Sequence, residues 1–179
     1  SIESEYIFNN APINRLKKNE ENDGIDKKLI ELREKIKSIE DCELKKFAKN
    51  IVFNDGNPKS QIMLVGEGPG EKEDIQGKPF VGEAGILLNK MLNAIKIKRE
   101  DVYITNVVNY RPPNNRKPEI SEINRYSVFL REHISIINPK ILILMGSTAM
   151  EAIFGQKLKI SKERGKWKET IINQKTFLT

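Results

Sequence analysis

The chain has 179 residues, 38% of them hydrophobic and 31% charged, with a net charge of +6. That length suits one domain with a sizeable core. A single cysteine, Cys42, excludes an internal disulfide and a cysteine metal cage, and no apolar run approaches the roughly 18–20 residues of a membrane span. No signal peptide is recognisable, so a reducing, cytoplasmic setting is expected. The charge is unevenly placed. Residues 1–60 hold twelve Lys/Arg and twelve Asp/Glu, so the whole excess falls in 61–179. Such an excess suits a polyanionic partner such as nucleic acid, although plain surface charge is the simpler alternative.

Residues 1–25 read as a polar arm, with Asn19–Gly24 a loop. Asp26 can cap a helix over 27–39, in which Leu29, Ile30, Leu32, Ile36 and Ile39 fall mostly at helical spacing. A short helical turn covers 42–48, and Asn54-Asp55-Gly56-Asn57-Pro58 is a turn. Gln61–Val65 is the first core strand, continuously apolar as a buried parallel strand is. It runs into Gly66-Glu67-Gly68-Pro69-Gly70, which can continue neither strand nor helix and makes a tight turn. Residues 77–82 form a second loop. A helix over 83–95 follows, with Leu87, Leu88, Met91, Leu92 and Ile95 on one face. Val102–Val108 is the second strand, with Asn106 near its end. Arg111–Pro118 is irregular, because three prolines and two asparagines oppose regular structure. A helix over 120–137 turns Ile123, Tyr126, Phe129, Leu130, His133, Ile134 and Ile137 inward. Lys140–Met145 is the third strand, and a short helix covers 147–154. Residues 156–175 are basic, and Thr176–Thr179 opens a fourth strand. Strands alternating with helices make an α/β domain with a parallel sheet and right-handed crossovers.

In such a sheet the chemistry sits at the carboxyl ends of strands, which directs attention to the glycine turn. It lacks the Gly-Lys-Ser/Thr ending of a nucleotide P-loop, and the acids Glu71, Glu73 and Asp74 behind it would repel a pyrophosphate. Acids here suit activation of water or stabilisation of a cationic transition state. Equally, they suit the first turn of a helix, where the dipole favours them. Phe80 is either packed at the core edge or one wall of a pocket for a planar base. Asn106 either makes a loop hydrogen bond or reads the donor and acceptor of a base edge. Arg111 and Arg116, with Lys117 beside them, are a phosphate clamp or plain surface charge. His133, on an apolar helix face, is read as a core histidine.

Three linked motifs carry a resemblance. They are Gly66-Glu67-Gly68-Pro69-Gly70 with Glu73-Asp74, then Gly77-Lys78-Pro79-Phe80-Val81-Gly82, then Thr105-Asn106-Val107-Val108 with Arg111-Pro112-Pro113-Asn114-Asn115-Arg116. From about residue 39 to 179 the chain resembles the family 4 uracil-DNA glycosylases. The resemblance implies a three-layer α/β/α fold with a four-stranded parallel central sheet, spanning residues 26–179. It implies a DNA-repair hydrolase that flips uracil out of DNA and cleaves its N-glycosidic bond. Carried over, Glu67 and Gly68 line the pocket, and Glu73 with Asp74 handles water or the positive charge on the sugar. Phe80 stacks on uracil and Asn106 reads its edge; beside these, Arg111, Arg116 and Lys117 are the residues expected to meet DNA on their own charge and loop setting. The partner is uracil-containing DNA, with no membrane, and the protein is expected to be a monomer.

Two departures from the family pattern matter. The family usually holds a [4Fe–4S] cluster on four cysteines, and the matching positions here are Ile39, Cys42, Tyr110 and Tyr126. One thiol cannot hold a cluster, so no cofactor and no metal are expected, with Tyr110 and Tyr126 filling the space. The family also has a His-Pro-Ser/Ala segment after the fourth strand, where this sequence stops at Thr179. The expectation is a domain truncated at that end, with activity uncertain. The alternative is a weakly active or non-catalytic module that binds uracil or abasic DNA.

Overall fold

The computed structural model describes residues 15–179, with side chains from Gly24 onward. Residues 1–14 of the expected arm lie outside the described residues. The first helix, α1 (Arg15–Lys37), begins well before Asp26 and takes in Asn19–Gly24, which had read as a loop. Its Lys- and Glu-rich start is made of good helix formers, and one internal glycine costs only about 1 kcal/mol. The inward stripe is Leu29, Leu32 and Ile36. After α2 (Glu43–Phe47) and the two-residue strand β1 (Asp55–Gly56) comes β2 (Ile62–Gly66). Then follow α3 (Glu71–Gln76), α4 (Glu83–Ala94), β3 (Tyr103–Asn106), α5 (Ile120–Ile137), β4 (Ile141–Leu144) and α6 (Ser147–Phe154). The chain closes with the short helix α7 (Ile160–Glu163) and the strands β5 (Glu169–Ile172) and β6 (Lys175–Leu178).

The sheet is six-stranded and mixed, in the order β1-β3-β2-β4-β6-β5, with two edge strands beyond the four expected. The central strands β3, β2, β4 and β6 run parallel, and β1 and β5 add antiparallel edges. Sequence patterning missed β5 because it lies in a basic stretch with only Thr170 and Ile172 turned inward. The β5–β6 turn is Asn173-Gln174, both at positive φ, as a two-residue hairpin turn requires.

Alternate residues of β2 serve opposite layers, as the two-residue period of a strand demands. Met63 and Val65 pack with Leu32, Ile36, Tyr126, Leu130 and Ile134, joining α1 and α5 to one face. Leu64 packs with Leu88, Leu92, Val102 and Ile104, placing α4 on the other. The helix over 120–137 turns inward as its spacing predicts. The α4 face is narrower than expected, for Leu87, Met91 and Ile95 are exposed and only Leu88 and Leu92 of that set are buried. Its contact line instead runs through Gly85, where the helix backbone presses directly on the carbonyl of Phe80.

The register matters most for the site. Gly66 pairs with Asn106, so the last residues of β2 and β3 stand side by side at their carboxyl ends. Val107 and Val108 prolong the pairing by donating to the carbonyls of Gly66 and Glu67, at 2.9 and 3.2 Å. Two motifs forty residues apart in the chain thereby meet at one edge.

Candidate active site

Past Gly66 the chain turns through Glu67–Gly70 and enters α3. At the other end of α3, Gly77 takes a left-handed conformation (φ 68°) and sends the chain back as the loop 78–82. Glu73 closes this reversal. Its Oε1 accepts the backbone N–H groups of Val81 (2.9 Å) and Gly82 (2.7 Å). Both bonds fall on one oxygen, and Oε2 is directed toward Gly70, where a Cβ would lie 2.9 Å from it.

The reversal places Phe80 over the end of β2. Phe80 has φ 53°, a left-handed conformation that costs an L-residue roughly 1–2 kcal/mol. Its ring edge and the Asn106 amide converge on Gly66, where a Cβ would lie 2.6 Å from Phe80 Cε2 and 2.5 Å from Asn106 Oδ1. Asn106 is 3% exposed, and its Oδ1 accepts no hydrogen bond among the described residues. A cavity of about 200 Å³ is lined by Gly68, Gly70, Glu73, Phe80, Gly82 and Asn106, together with the start of α4. A buried acceptor left without a donor costs about 1–3 kcal/mol, and such a cost is tolerated where a ligand supplies the donor.

Glu67 lies beside this cavity rather than in its lining. Its carboxylate accepts a hydrogen bond from the hydroxyl of Thr148, which is fully buried in the first turn of α6. Thr148 escaped sequence reading because a Ser-Thr pair after a strand reads simply as a helix start. Glu67 and Gly68 also line a neighbouring cleft of about 140 Å³, closed by Pro112, Asn115, Arg116 and Pro118. The Arg-Pro loop therefore abuts the glycine turn.

Asp74 is not part of this arrangement. It is 1% exposed and faces away, accepting the backbone N–H groups of Lys49 (2.8 Å) and Asn50 (3.0 Å). Asn50 Nδ2 donates back to the Asp74 carbonyl at 2.7 Å. Next to Glu73 in sequence, Asp74 points elsewhere because adjacent helical positions lie about 100° apart. Its carboxylate ties α3 to the chain after α2.

The three expected DNA contacts differ in kind. Lys117 is exposed. Arg111 uses Nε on Asn115 Oδ1 (2.7 Å), which braces a loop whose Asn114 and Asn115 are both left-handed. Arg116 is a staple rather than a free cation. It forms a two-pronged pair with Glu122 at 2.8 and 2.7 Å and donates to the Lys117 carbonyl. Bonding to Arg116 holds the Glu122 carboxyl below the usual range.

His133 is a core residue. It stacks on Phe53 with ring centroids 4.6 Å apart and bonds Tyr103 Oη through Nε2 at 2.6 Å. Burial lowers its pKa to about 3, so it stays neutral in the fold. An unfolded histidine titrates near 6.5, so between these values only the unfolded state binds the proton. Stability is therefore full above about pH 6.5 and falls as pH drops toward 3, by about 2 kcal/mol at pH 5 from this group. Urea midpoints at pH 7.5 and pH 5 check this. In His133→Gln the difference between the two shrinks by that amount, and an unchanged difference would refute the assignment.

The described residues thus form an α/β domain whose polar residues gather at the carboxyl ends of β2 and β3 around a cavity for one small ring. The Uracil DNA glycosylase superfamily model matches residues 53–178, and the chain belongs to that superfamily. Within it, the chain is 46% identical over 141 residues to the type-4 uracil-DNA glycosylase of Saccharolobus solfataricus, covering 76% of this chain and 65% of the relative. It is 47% identical over 133 residues to that of Thermotoga maritima, covering 74% and 69%. With the type-4 enzyme of Archaeoglobus fulgidus it shares 42% over 142 residues, covering 77% and 71%. The chain thus spans about two thirds of the length of these relatives.

Proposed function

We propose that this chain carries the uracil-excision activity of its relatives, hydrolysing the N-glycosidic bond of uracil in DNA as the first step of base excision repair. The observation that carries the reading is the unpartnered Oδ1 of Asn106, buried in a cavity with the Phe80 ring and the Glu73 carboxylate. A flipped uracil offers an N3–H donor beside two carbonyl acceptors. Asn106 complements that edge, with Oδ1 accepting from N3–H and the amide N–H₂ donating to a carbonyl. Phe80 supplies the flat apolar wall on which the ring stacks.

Hydrolysis joins the oxygen of water to C1′ of the sugar and releases the base with the bonding electron pair and a proton. Positive charge develops on the sugar, and a fixed carboxylate stabilises it or orients the water. Glu73 suits either role, because the bonds from Val81 and Gly82 hold it in place through Oε1 and leave Oε2 toward the glycine turn. Arg111 and Lys117 meet the phosphates, and the basic excess of 61–179 favours the encounter. We read the protein as a cytoplasmic monomer, with Cys42 buried as in a reducing interior.

The family resemblance implies a [4Fe–4S] cluster, and the residues present do not match one. Of the matching positions, Ile39 packs on the core and Tyr110 and Tyr126 are buried aromatics. The one thiol, Cys42 Sγ, lies 3.4 Å from Tyr126 Oη. Four thiolates are the usual ligand set. The loop before α2 is held instead by Arg125, which donates to the carbonyls of Asp41 (2.8 Å) and Glu40. We therefore read the protein as free of the cluster, and purified protein carries no stoichiometric iron. One brown, iron-loaded preparation with four iron atoms per chain would overturn this.

A uracil-containing oligonucleotide, incubated with the protein and then treated with alkali, breaks at the uracil if the reading holds. Glu73→Gln keeps an oxygen for Val81 and Gly82 but removes the charge, and scission slows by about 10²-fold or more. Full activity in Glu73→Gln sinks the role of Glu73. Tight binding of uracil-DNA with no release of base would make the chain a binding module instead.

A further inference from the structure

We propose that Arg99 is a positioning residue for uracil recognition, holding Phe80 in its stacking orientation from outside the pocket. The inference rests on the function proposed above. Arg99 lies in the turn of residues 99–101 that leads into β3, and its side chain is 22% exposed. Its guanidinium makes four bonds to three other segments. Nε meets Asp55 Oδ2 of β1 at 2.8 Å, and Nη1 meets Asn89 Oδ1 of α4 at 3.1 Å. Nη1 also donates to the Phe80 carbonyl at 3.1 Å, and Nη2 to the Pro79 carbonyl at 2.7 Å. Two consecutive carbonyls of the loop 78–82 are thus held by one planar fork. A lysine cannot match that geometry, because its ammonium is a single point of charge.

The fork acts where the backbone needs support. Phe80 is left-handed, a conformation that an aromatic L-residue holds only when its surroundings impose it. On one side of its carbonyl lies the Arg99 guanidinium. On the other lies the backbone of α4 at Gly85, so close that a Cβ there would sit 3.0 Å from Phe80 Cα and overlap the carbonyl. Remove the guanidinium, and the Pro79 and Phe80 carbonyls lose a partly buried donor. The residue then relaxes toward negative φ. Since φ sets the direction of Cβ, the ring swings away from Gly66 and Asn106. Asp55 completes the device by anchoring the guanidinium, and it also stands 4.0 Å from Lys78 Nζ of the same loop.

The test is a double-mutant cycle on Arg99→Lys and Phe80→Leu, read as the single-turnover rate of uracil release and as inhibition by free uracil. Alone, Arg99→Lys lowers the rate and weakens inhibition by about tenfold to 10²-fold. In the Phe80→Leu background it changes either value by no more than about twofold, since its target is already gone. Guanidinium ion added to Arg99→Ala restores part of the rate, and adds nothing to Phe80→Leu. Multiplicative effects in the double variant overturn the proposal. So does an Arg99→Lys protein that melts lower yet releases and binds uracil normally, which marks a purely structural role. Where Arg99→Ala fails to fold, the lysine cycle alone decides. An unsubstituted chain that releases no uracil sinks the proposed function. One that does release it, with multiplicative effects in the cycle, sinks only the role of Arg99.

Discussion

Replacing Asn106 by alanine lowers uracil release by about 10²–10³-fold while leaving the fold as stable as before, or more so. The two halves of this result share one cause. The Asn106 amide is buried, and its Oδ1 has no donor among the described residues. Folding bears the desolvation of that oxygen, about 1–3 kcal/mol, without recovering a hydrogen bond. Alanine removes the burden and also removes the acceptor that uracil would satisfy. Most buried substitutions lose stability, so a melting temperature that holds steady while activity collapses is diagnostic of a group kept for function. A scan of thermal unfolding beside an alkali-cleavage assay measures both. A variant that melts several degrees lower and still excises uracil would show that Asn106 is an ordinary structural amide.

Gly66→Ala is expected to be nearly as damaging to activity, for a steric reason. Gly66 does not have positive φ, so its backbone accepts alanine. The space does not. A Cβ would lie 2.5 Å from Asn106 Oδ1 and 2.6 Å from Phe80 Cε2, closer than carbon tolerates. One methyl group must displace the Asn106 amide and the Phe80 ring together. Overpacking of this kind costs about 1–3 kcal/mol of stability. Misplacement of recognition groups by an ångström costs about 10²-fold in rate. Gly24→Ala is the control, since nothing lies within 4 Å of its Cβ on α1. Uracil release by the two variants, at matched folded fraction, separates pocket geometry from general destabilisation. Equal rates would refute the convergence at Gly66.

Much of this architecture was legible in the residues. The apolar runs at β2, β3 and β4 and the helically spaced stripe of α5 each repeat one simple pattern along the whole element. Elements of that kind are specified by repetition, and the structure places them within a residue or two. β6 was legible as the strand opening at Thr176, whereas β5 was harder because an edge strand needs only one buried face, and Thr170 and Ile172 suffice for it. Helix α1 was read as too short because Gly24 breaks the pattern locally while the helix continues through it.

At the candidate site, the motifs pointed to residues that the fold brings near one cavity, but not to which way each side chain faces. Glu73 and Asp74 are adjacent and both acidic, so nothing local separates the residue facing the pocket from the one tying down Asn50. That distinction exists only once α3 is wound. Arg116 reads as a phosphate clamp or plain surface charge because Glu122, its partner, lies six residues away on the next helix. Arg99 and Thr148 were invisible for the same reason, since each acts on a segment distant in the chain.

The loop 78–82 has an implication for what limits the reaction. It is fastened by a carboxylate from α3 on one side and a guanidinium on the other. A wall held by opposite charges at both ends is already formed before any base arrives. The protein then has little ordering to do on capture, and the remaining cost lies in unstacking and unpairing the nucleotide. That cost belongs to the nucleic acid and is least for a mismatched or single-stranded base. Under the proposed function, preference among uracils in different contexts is thereby set by how readily each leaves its own helix, and the pocket wall serves as a fixed gauge against which DNA reports its local weakness.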